Sequence, residues 1–309
     1  MDRVTTFSAY NSVISNLMQA EVKQNDAEVQ VSSGKIASDL KGFGVNAEAL
    51  TAANTLKTRV DGLVTGLKNL GVKLDSQNLA LTEVSDASQG ARTAIANAVA
   101  SGSGAGLMTT LQSYFGQAAA SLNTQFNGHY LFAGGKVDTP PVAVQTLAGL
   151  AAPPPGGVFQ NDQLAATSRL DESTTVQSGM LASNIGTNLF NAFASVQAFD
   201  QGPGGPFSGQ LTQAQLNYLT SMLPTFDSVG QGLTNTVATN GLLQARVDQA
   251  QTTQQDRQTT LQTMIGGITD VDMAEAASRL SQSQVAVQAS AHIFATLQNT
   301  SLLSQLPVR

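Results

Sequence analysis

A heptad pattern of apolar residues runs through residues 56–95. The positions at alternating intervals of four and three are apolar except for Gln77 and Ser88, and the register does not slip. Such a pattern predicts one long helix that packs against another helix through a continuous stripe. We assign to this rod seam the apolar positions Leu56, Val60, Leu63, Leu67, Leu70, Leu74, Leu81 and Val84.

The helical pattern breaks once and then resumes. Residues 101–106 are a run of glycine, serine and alanine, which is typical of a turn. After it, Leu111, Phe115, Leu122 and Phe126 fall on one face of a predicted second helix. A short turn between two helices favours an antiparallel hairpin.

The last third of the chain is again helical by pattern. Apolar residues at helical spacing between residues 219 and 268 predict a long helix, in which Pro224 would introduce a kink. A final helix is expected to begin at Asp272, because Asp272 and Glu275 fit a capping box. The same segment lacks the third ligand and the glycine of an EF-hand loop, which argues against a calcium site of that type.

The middle of the chain shows a different pattern. A strand-like run at residues 129–133 follows a turn signal at residues 127–128, and weaker strand signals occur at residues 158–159 and 174–176. A short helix is expected over residues 186–199. Three residues of the first run, Tyr130, Leu131 and Phe132, are predicted to anchor the base of this insert.

These patterns together predict a mainly α protein. Its N- and C-terminal segments would form a long coiled-coil helical bundle, and a small β-rich (α+β) insert would interrupt it. We expect three regions. Residues 1–40 and 270–309 form terminal coaxial helices, residues 41–130 and 208–269 form the rod bundle, and residues 131–207 form a variable outer domain.

The charge content of the chain is low. Charged residues make up 12% of the 309 residues, against about 25% in a typical soluble domain. This composition favours a protein whose faces are covered by neighbouring subunits, although a monomer with an uncharged surface remains open. The net charge of −6 argues against nucleic acid as a partner.

The sequence offers little chemistry. Cysteine is absent, which excludes thiolate metal sites and cysteine nucleophiles. The two histidines, His129 and His292, are far apart and fit no metal-binding spacing. The Gly102-x-Gly104 pair has Leu107 where a dinucleotide-binding loop needs glycine. We therefore predict neither an enzyme nor a cofactor or metal site.

The terminal helices carry apolar stripes that need a partner. Another helix is a better partner than a membrane, because a surface-lying membrane helix favours Lys and Arg on its polar face and the last helix has few. We predict assembly contacts at Phe7, Tyr10, Ile14, Leu17, Leu280, Val287, Phe294, Leu297 and Leu302. Pairing of the two helices within one chain alone remains an alternative, since a heptad seam does not identify its partner.

Two stretches of the chain resemble a known family. The C-terminal "DVDMAEAASRLSQSQVAVQASAHIFATLQNTSLLSQL" and the N-terminal "SNLMQAEVKQNDAEVQVSSGK" are similar to the terminal regions of bacterial flagellins and their hook-associated relatives. The segment "NGHYLFAGGKVDTPP" resembles the hook–filament junction branch more than filament flagellin. The resemblance covers roughly residues 1–140 and 210–306.

The resemblance implies a structural adaptor of the bacterial flagellum that joins the hook to the filament. The implied partners are further copies of the chain, the hook-side hook-associated protein, flagellin, the flagellar export apparatus and an export chaperone that binds the C-terminal helix. The resemblance also implies an extracellular location reached without a cleaved signal peptide, and the first 30 residues contain no apolar core of such a peptide.

Two other functions are compatible with the sequence. The chain could be a filament flagellin subunit, or it could be a secreted, adhesin-like binding module that uses the central insert. Deletion of the insert separates the adaptor from the binding module, because an adaptor would still join hook to filament.

Overall fold

The architecture is described by a computed structural model, which covers residues 2–153, 155 and 157–299. The helices are α1 (Asp2–Ser33), a 3₁₀ helix (Leu40–Asn46), α2 (Ala47–Ser101), α3 (Leu107–Leu122), α4 (Leu147–Ala151), α5 (Ala182–Gln201), α6 (Gln213–Thr269) and α7 (Met273–Asn299). The strands are β1 (Gln125–Phe126), β2 (His129–Tyr130), β3 (Thr167–Arg169) and β4 (Thr175–Gln177).

The predicted fold class, mainly α with a small β-containing insert, is confirmed. The described strands form two antiparallel hairpins, β1–β2 and β3–β4. In the second hairpin, Ser168 pairs with Val176. The central insert is less β-rich than predicted, since the 20-residue helix α5 takes up much of it.

The β1–β2 hairpin turns at Asn127 and Gly128. Both residues have positive φ, 52° and 82°, as a two-residue type I′ turn requires. The strand is shorter than the predicted run of residues 129–133. It ends at Tyr130, because the next residues turn into the core and the carbonyl of Phe132 accepts a hydrogen bond from the Ala182 amide at the start of α5 (3.0 Å).

The chain divides into two compact units. Unit 1 consists of residues 1–60 and 257–309, and unit 2 consists of residues 61–256. The three regions predicted from the sequence have different boundaries, and that division stays a prediction.

The main core of unit 2 lies between α2, α3, α5 and α6. Phe115 of α3 contacts Phe190 and Phe193 of α5, with ring centroids 4.9 and 5.7 Å apart. Phe193 in turn meets Phe226 of α6 edge-on at 5.5 Å. These aromatic contacts combine with buried leucines from α2 and α3. The helix predicted over residues 186–199 thus occurs, as part of α5, with its apolar face turned inward.

The rod seam follows α2, but not at every predicted position. Val60, Leu67, Leu70, Leu74, Leu81 and Val84 are buried. Leu56 is 46% exposed, and Leu63 is half-buried while its neighbour Val64 is buried. A straight α-helix has 3.6 residues per turn, so the buried stripe drifts relative to a strict heptad repeat. Leu56 and Leu63 are thus not fully buried in the single chain, and the assignment of the whole seam stays a prediction.

A polar layer interrupts the α2–α6 core of unit 2. Gln77 of α2 and Asn240 of α6 are fully buried. The Asn240 amide donates to the Leu74 carbonyl (3.0 Å), while neither polar atom of Gln77 has a hydrogen-bond partner among the described residues. The layer separates the main core from a smaller apolar cluster of Leu67, Leu70, Leu74, Leu170, Leu243 and Val247.

The start of α7 is set by a side-chain cap, as the sequence predicts. The Asp272 carboxylate accepts hydrogen bonds from the amides of Ala274 (2.8 Å) and Glu275 (3.2 Å). The Glu275 carboxylate pairs with Arg279 one turn later. Pro224 lies inside α6, and the kink predicted at this residue stays a prediction.

Candidate assembly surface

The terminal helices α1 and α7 pack against each other in unit 1. Near one end, the Val271 amide donates to the Gly34 carbonyl (3.0 Å). Near the other end, the rings of Tyr10 and Phe294 lie 5.2 Å apart. The start of α1 therefore lies beside the end of α7, and the two helices run antiparallel.

Small residues line the contact between α1 and α7. Ala20 and Ala27 of α1 are buried, as are Ala276 and Ser283 of α7. Short side chains allow the two helix axes to approach closely, but each buries little apolar area. Since the free energy gained by burial scales with that area, these four positions stabilise the pair less than buried leucines would.

The connections that follow α1 and precede α7 are joined by a short ladder. The Ile36 amide donates to the Thr269 carbonyl (2.8 Å), and the backbones of Lys35 and Asp270 form an isolated antiparallel β-bridge. The Lys35 ammonium also contacts the Asp270 carboxylate (2.5 Å). The hydrogen bond from Lys35 and a further one from Thr269 lower the pKa of Asp270, because both favour the charged carboxylate.

Much of the predicted assembly set lies in the seam between α1 and α7. Tyr10, Leu17, Leu280, Val287 and Phe294 are half-buried at heptad spacing on this seam. Within a single chain these residues therefore face the partner helix. Intramolecular pairing, the alternative left open by the sequence, accounts for their burial, and their role between subunits stays a prediction.

Three predicted contacts cannot be placed by their side chains. Phe7 and Leu297 lie in α1 and α7, but their side chains are outside the part that the structure describes. Leu302 lies outside the described residues altogether. Ile14 is half-buried and lines a shallow groove on α1 together with Met18 and Val22.

The side of α1 opposite the seam exposes large apolar side chains. Met18 and Val22 are each 60% exposed. Each lies two residues from the buried Ala20, which corresponds to a rotation of about 200° around the helix. With Asn11, Ser15 and Val29 they form a second stripe at heptad spacing, which we call the α1 outer face. The heptad spacing of these residues is visible in the sequence, but the predicted assembly contacts of α1 were placed on the neighbouring stripe that contains Tyr10 and Leu17.

The corresponding side of α7 is also apolar. Val285 is 62% exposed and Ile293 is 52% exposed, with the exposed Ala289 between them. Val285 lies two residues from both Ser283 and Val287 of the seam, which places it on the opposite side of the helix. We call Val285, Ala289 and Ile293 the α7 outer face.

The C-terminal part of the chain matches a known protein family. Residues 224–306 match the sequence profile of the bacterial flagellin C-terminal helical region. The resemblance of the C-terminal region to flagellins is confirmed. No curated protein sequence matches the chain.

Two solved structures share the fold of this chain. A protein described as a flagellar hook-associated protein from Vibrio parahaemolyticus superposes with a TM-score of 0.59 at 18% identity, over 72% of this chain and 97% of its own. FlgL from Bacillus cereus superposes with a TM-score of 0.52 at 12% identity, over 70% and 98% of the two chains. Over most of its length, the chain thus has the fold of these two proteins.

The predicted base of the insert joins the core of unit 2. Leu131 and Phe132 are buried within the main core, and Tyr130 is half-buried in β2. The Tyr130 amide donates to the Val137 carbonyl (2.8 Å), which closes the loop that follows. These contacts fix where the insert leaves the helices. Its role in the assembled protein stays a prediction.

The described residues contain no cluster of three or more His, Asp or Glu side chains suited to a metal ion. The exposed His129 pairs with the Asp138 carboxylate (3.1 Å), and His292 is exposed on α7. None of the described helices is long and apolar enough to cross a membrane. The most distinctive described surface is thus the pair of outer faces on the terminal helices.

Proposed function

We propose that the protein is a structural adaptor of the bacterial flagellum that joins the hook to the filament. The observation that carries this proposal is the shared fold, which spans nearly the full length of two flagellar hook-associated proteins. The flagellin-like C-terminal region supports it, because a junction subunit has to match both hook-side and filament-side neighbours.

The surface of the terminal helices supports a role in assembly. Residues 4–20 of α1 and 280–299 of α7 contain no Asp, Glu, Lys or Arg, although both helices expose apolar side chains. Exposed apolar area without charge is unfavourable in water and is typical of surfaces that a partner covers. The protein would act through these contacts as a non-catalytic structural subunit.

The proposed partners are those of a junction. Further copies of the chain would form the junction, a hook-associated protein would bind on the hook side, and flagellin would bind on the filament side. The chain would reach this extracellular site through the flagellar export apparatus, with a chaperone on the C-terminal helix during export.

Deletion of the gene in a motile parent strain tests the proposal. We expect electron microscopy to show hooks without filaments and flagellin lost to the medium, and a plasmid-borne copy to restore both. Filaments still attached to hooks in the deletion strain would contradict the adaptor role.

A filament subunit is the second candidate, because the matched sequence profile is that of flagellin itself. Immunogold labelling of wild-type flagella separates the two. Label confined to the hook–filament boundary supports the adaptor, and label along the whole filament supports a flagellin. A chain without residues 131–207 tests the remaining alternative, since an adhesin-like module would lose binding while an adaptor would still join hook to filament.

A further inference from the structure

Two Asn-Gly pairs occur in the chain, Asn127-Gly128 and Asn240-Gly241. An asparagine that precedes glycine is prone to deamidation, because glycine has no side chain to obstruct the approach of its backbone nitrogen to the asparagine carboxamide. The reaction needs a backbone nitrogen that is not held in a hydrogen bond and a carboxamide that can rotate towards it. The two pairs differ in both respects.

The first pair forms the tip of the β1–β2 hairpin. Asn127 and Gly128 are both exposed, and nothing lies within 4 Å of a Cβ added at Gly128. Phe126 pairs with His129 across the turn, so the ladder hydrogen bonds belong to these two residues and the Gly128 nitrogen lies outside the ladder. The Asn127 carboxamide therefore has room to rotate onto this nitrogen.

The second pair lies in the interior of α6. Asn240 is fully buried, and its amide donates to the Leu74 carbonyl (3.0 Å), which holds the carboxamide towards α2. The Gly241 nitrogen is in the middle of the helix, where a backbone amide donates to the carbonyl four residues earlier. Ring closure would break both hydrogen bonds, so this pair is protected while α6 is folded.

We propose that Asn127 is a site of spontaneous deamidation in the folded protein. The Gly128 nitrogen loses its proton to a solvent base and attacks Cγ of Asn127. The new N–C bond closes a five-membered succinimide ring, and the amide group of the side chain leaves as ammonia. Water then adds to one of the two ring carbonyls next to the nitrogen and breaks its C–N bond, which gives aspartate or isoaspartate at position 127. In total one water is consumed and one ammonia is released.

The isoaspartate product would alter the hairpin. Its main chain runs through the former side chain, so the backbone of the turn gains the Cβ atom. A two-residue type I′ turn has defined dihedral angles at both residues, and a longer backbone no longer fits it. The pairing of Phe126 with His129 is therefore expected to weaken as the protein ages, directly before the buried Leu131 and Phe132.

Peptide mapping by mass spectrometry tests the proposal on the full-length protein. The folded chain is incubated in mildly alkaline buffer made with H₂¹⁸O, so that hydrolysis of a succinimide places one heavy oxygen in the product. We expect the label at Asn127, and we expect protein isoaspartate methyltransferase to modify the same peptide. Asn240 is the matched control within the same molecule, and its labelling should be at least about tenfold slower, because α6 has to open first.

The same incubation in urea shows whether the fold causes the difference. Both pairs should then be labelled at similar rates, since neither the hairpin nor α6 remains. Asn127→Gln should abolish labelling at position 127 in the folded chain, because a glutamine would have to close a larger ring. Labelling of Asn127 in the folded chain that is as slow as that of Asn240, with both pairs labelled in urea, would show that the turn protects Asn127 and would overturn the proposal.

Discussion

Single residues hold the loops of the insert in place, and Gly134 is the clearest case. Its φ is +69°, and an added Cβ would collide with the Asp162 carboxylate. That carboxylate accepts hydrogen bonds from the amides of Gly135 (2.8 Å) and Leu164 (2.9 Å). We expect Gly134→Ala to destabilise the chain by more than about 2 kcal/mol, because left-handed strain and steric overlap add.

Gly128→Ala is the matched control for this substitution. Gly128 also has positive φ (+82°), but nothing lies within 4 Å of an added Cβ. Its cost is therefore backbone strain alone, about 1–2 kcal/mol. Urea unfolding of both variants gives their free energies of unfolding. Equal losses of stability would show that the overlap between the added Cβ at position 134 and the Asp162 carboxylate costs nothing.

The contribution of the single residue Asp171 to the stability of the β3–β4 hairpin is expected to depend on pH. Hydrogen bonds from the Ser173 amide and from the side chain and amide of Thr174 lower the pKa of Asp171 to about 2. The unfolded value is about 3.9. A lowered folded pKa means that this carboxylate stabilises the β3–β4 hairpin fully above pH ~4, and that the contribution is lost as the pH falls through about 2.

Nuclear magnetic resonance can follow this titration directly. The amide shifts of Ser173 and Thr174 should change with an inflection near pH 2, whereas in Asp171→Asn they should stay flat. An inflection near the unperturbed value of about 3.9 would show that the turn does not hold the carboxylate in solution.

Among the elements, the polar layer between α2 and α6 gives the most specific prediction. Gln77 is fully buried, and its amide has no hydrogen-bond partner among the described residues. A buried polar group without a partner costs about 1–3 kcal/mol. Gln77→Leu should therefore stabilise unit 2 by roughly that amount, since leucine fills a similar volume.

Thermal unfolding followed by circular dichroism measures the effect. Leu74→Ala, one turn away in the same seam, is the control in the opposite direction and should cost about 2–5 kcal/mol. A lower melting temperature for Gln77→Leu would show that Gln77 makes a favourable polar interaction within the folded chain.

The elements also show how far the sequence could be interpreted. The long helices were predictable, because an unbroken heptad pattern has few alternatives and the cap at Asp272 marks a start. The strand over residues 129–133 was overestimated, because the apolar run is buried against α5 instead of pairing along its length. The α1 outer face was missed, because spacing shows that Met18 and Val22 form a stripe and does not show which stripe meets α7.

At the scale of the whole molecule, the two units differ in how much they bury. Unit 2 buries the aromatic contacts around Phe193, with ring centroids 5.5–5.7 Å apart. Among the described residues of α1 and α7, only alanine and serine are fully buried in their seam. The larger seam residues are half-buried: Tyr10, Leu17, Leu280, Val287 and Phe294. Burial of a phenylalanine or leucine contributes far more than burial of an alanine, so the seam of unit 1 is the weaker of the two.

We therefore expect the monomer to unfold in two steps on heating. Helix is lost first from α1 and α7 and later from unit 2, and hydrogen exchange should proceed in the same order, because regions with few buried apolar contacts open at low free energy. Phe294→Ala should lower the temperature of the first transition and leave that of the second unchanged. Phe193→Ala should lower the temperature of the second, because it reduces the free energy of unfolding of unit 2 by about 3–5 kcal/mol. One cooperative transition that both substitutions shift equally would show that the two units unfold together. Separate transitions would show that the pairing of α1 with α7 is less stable than the core of unit 2 in the single chain.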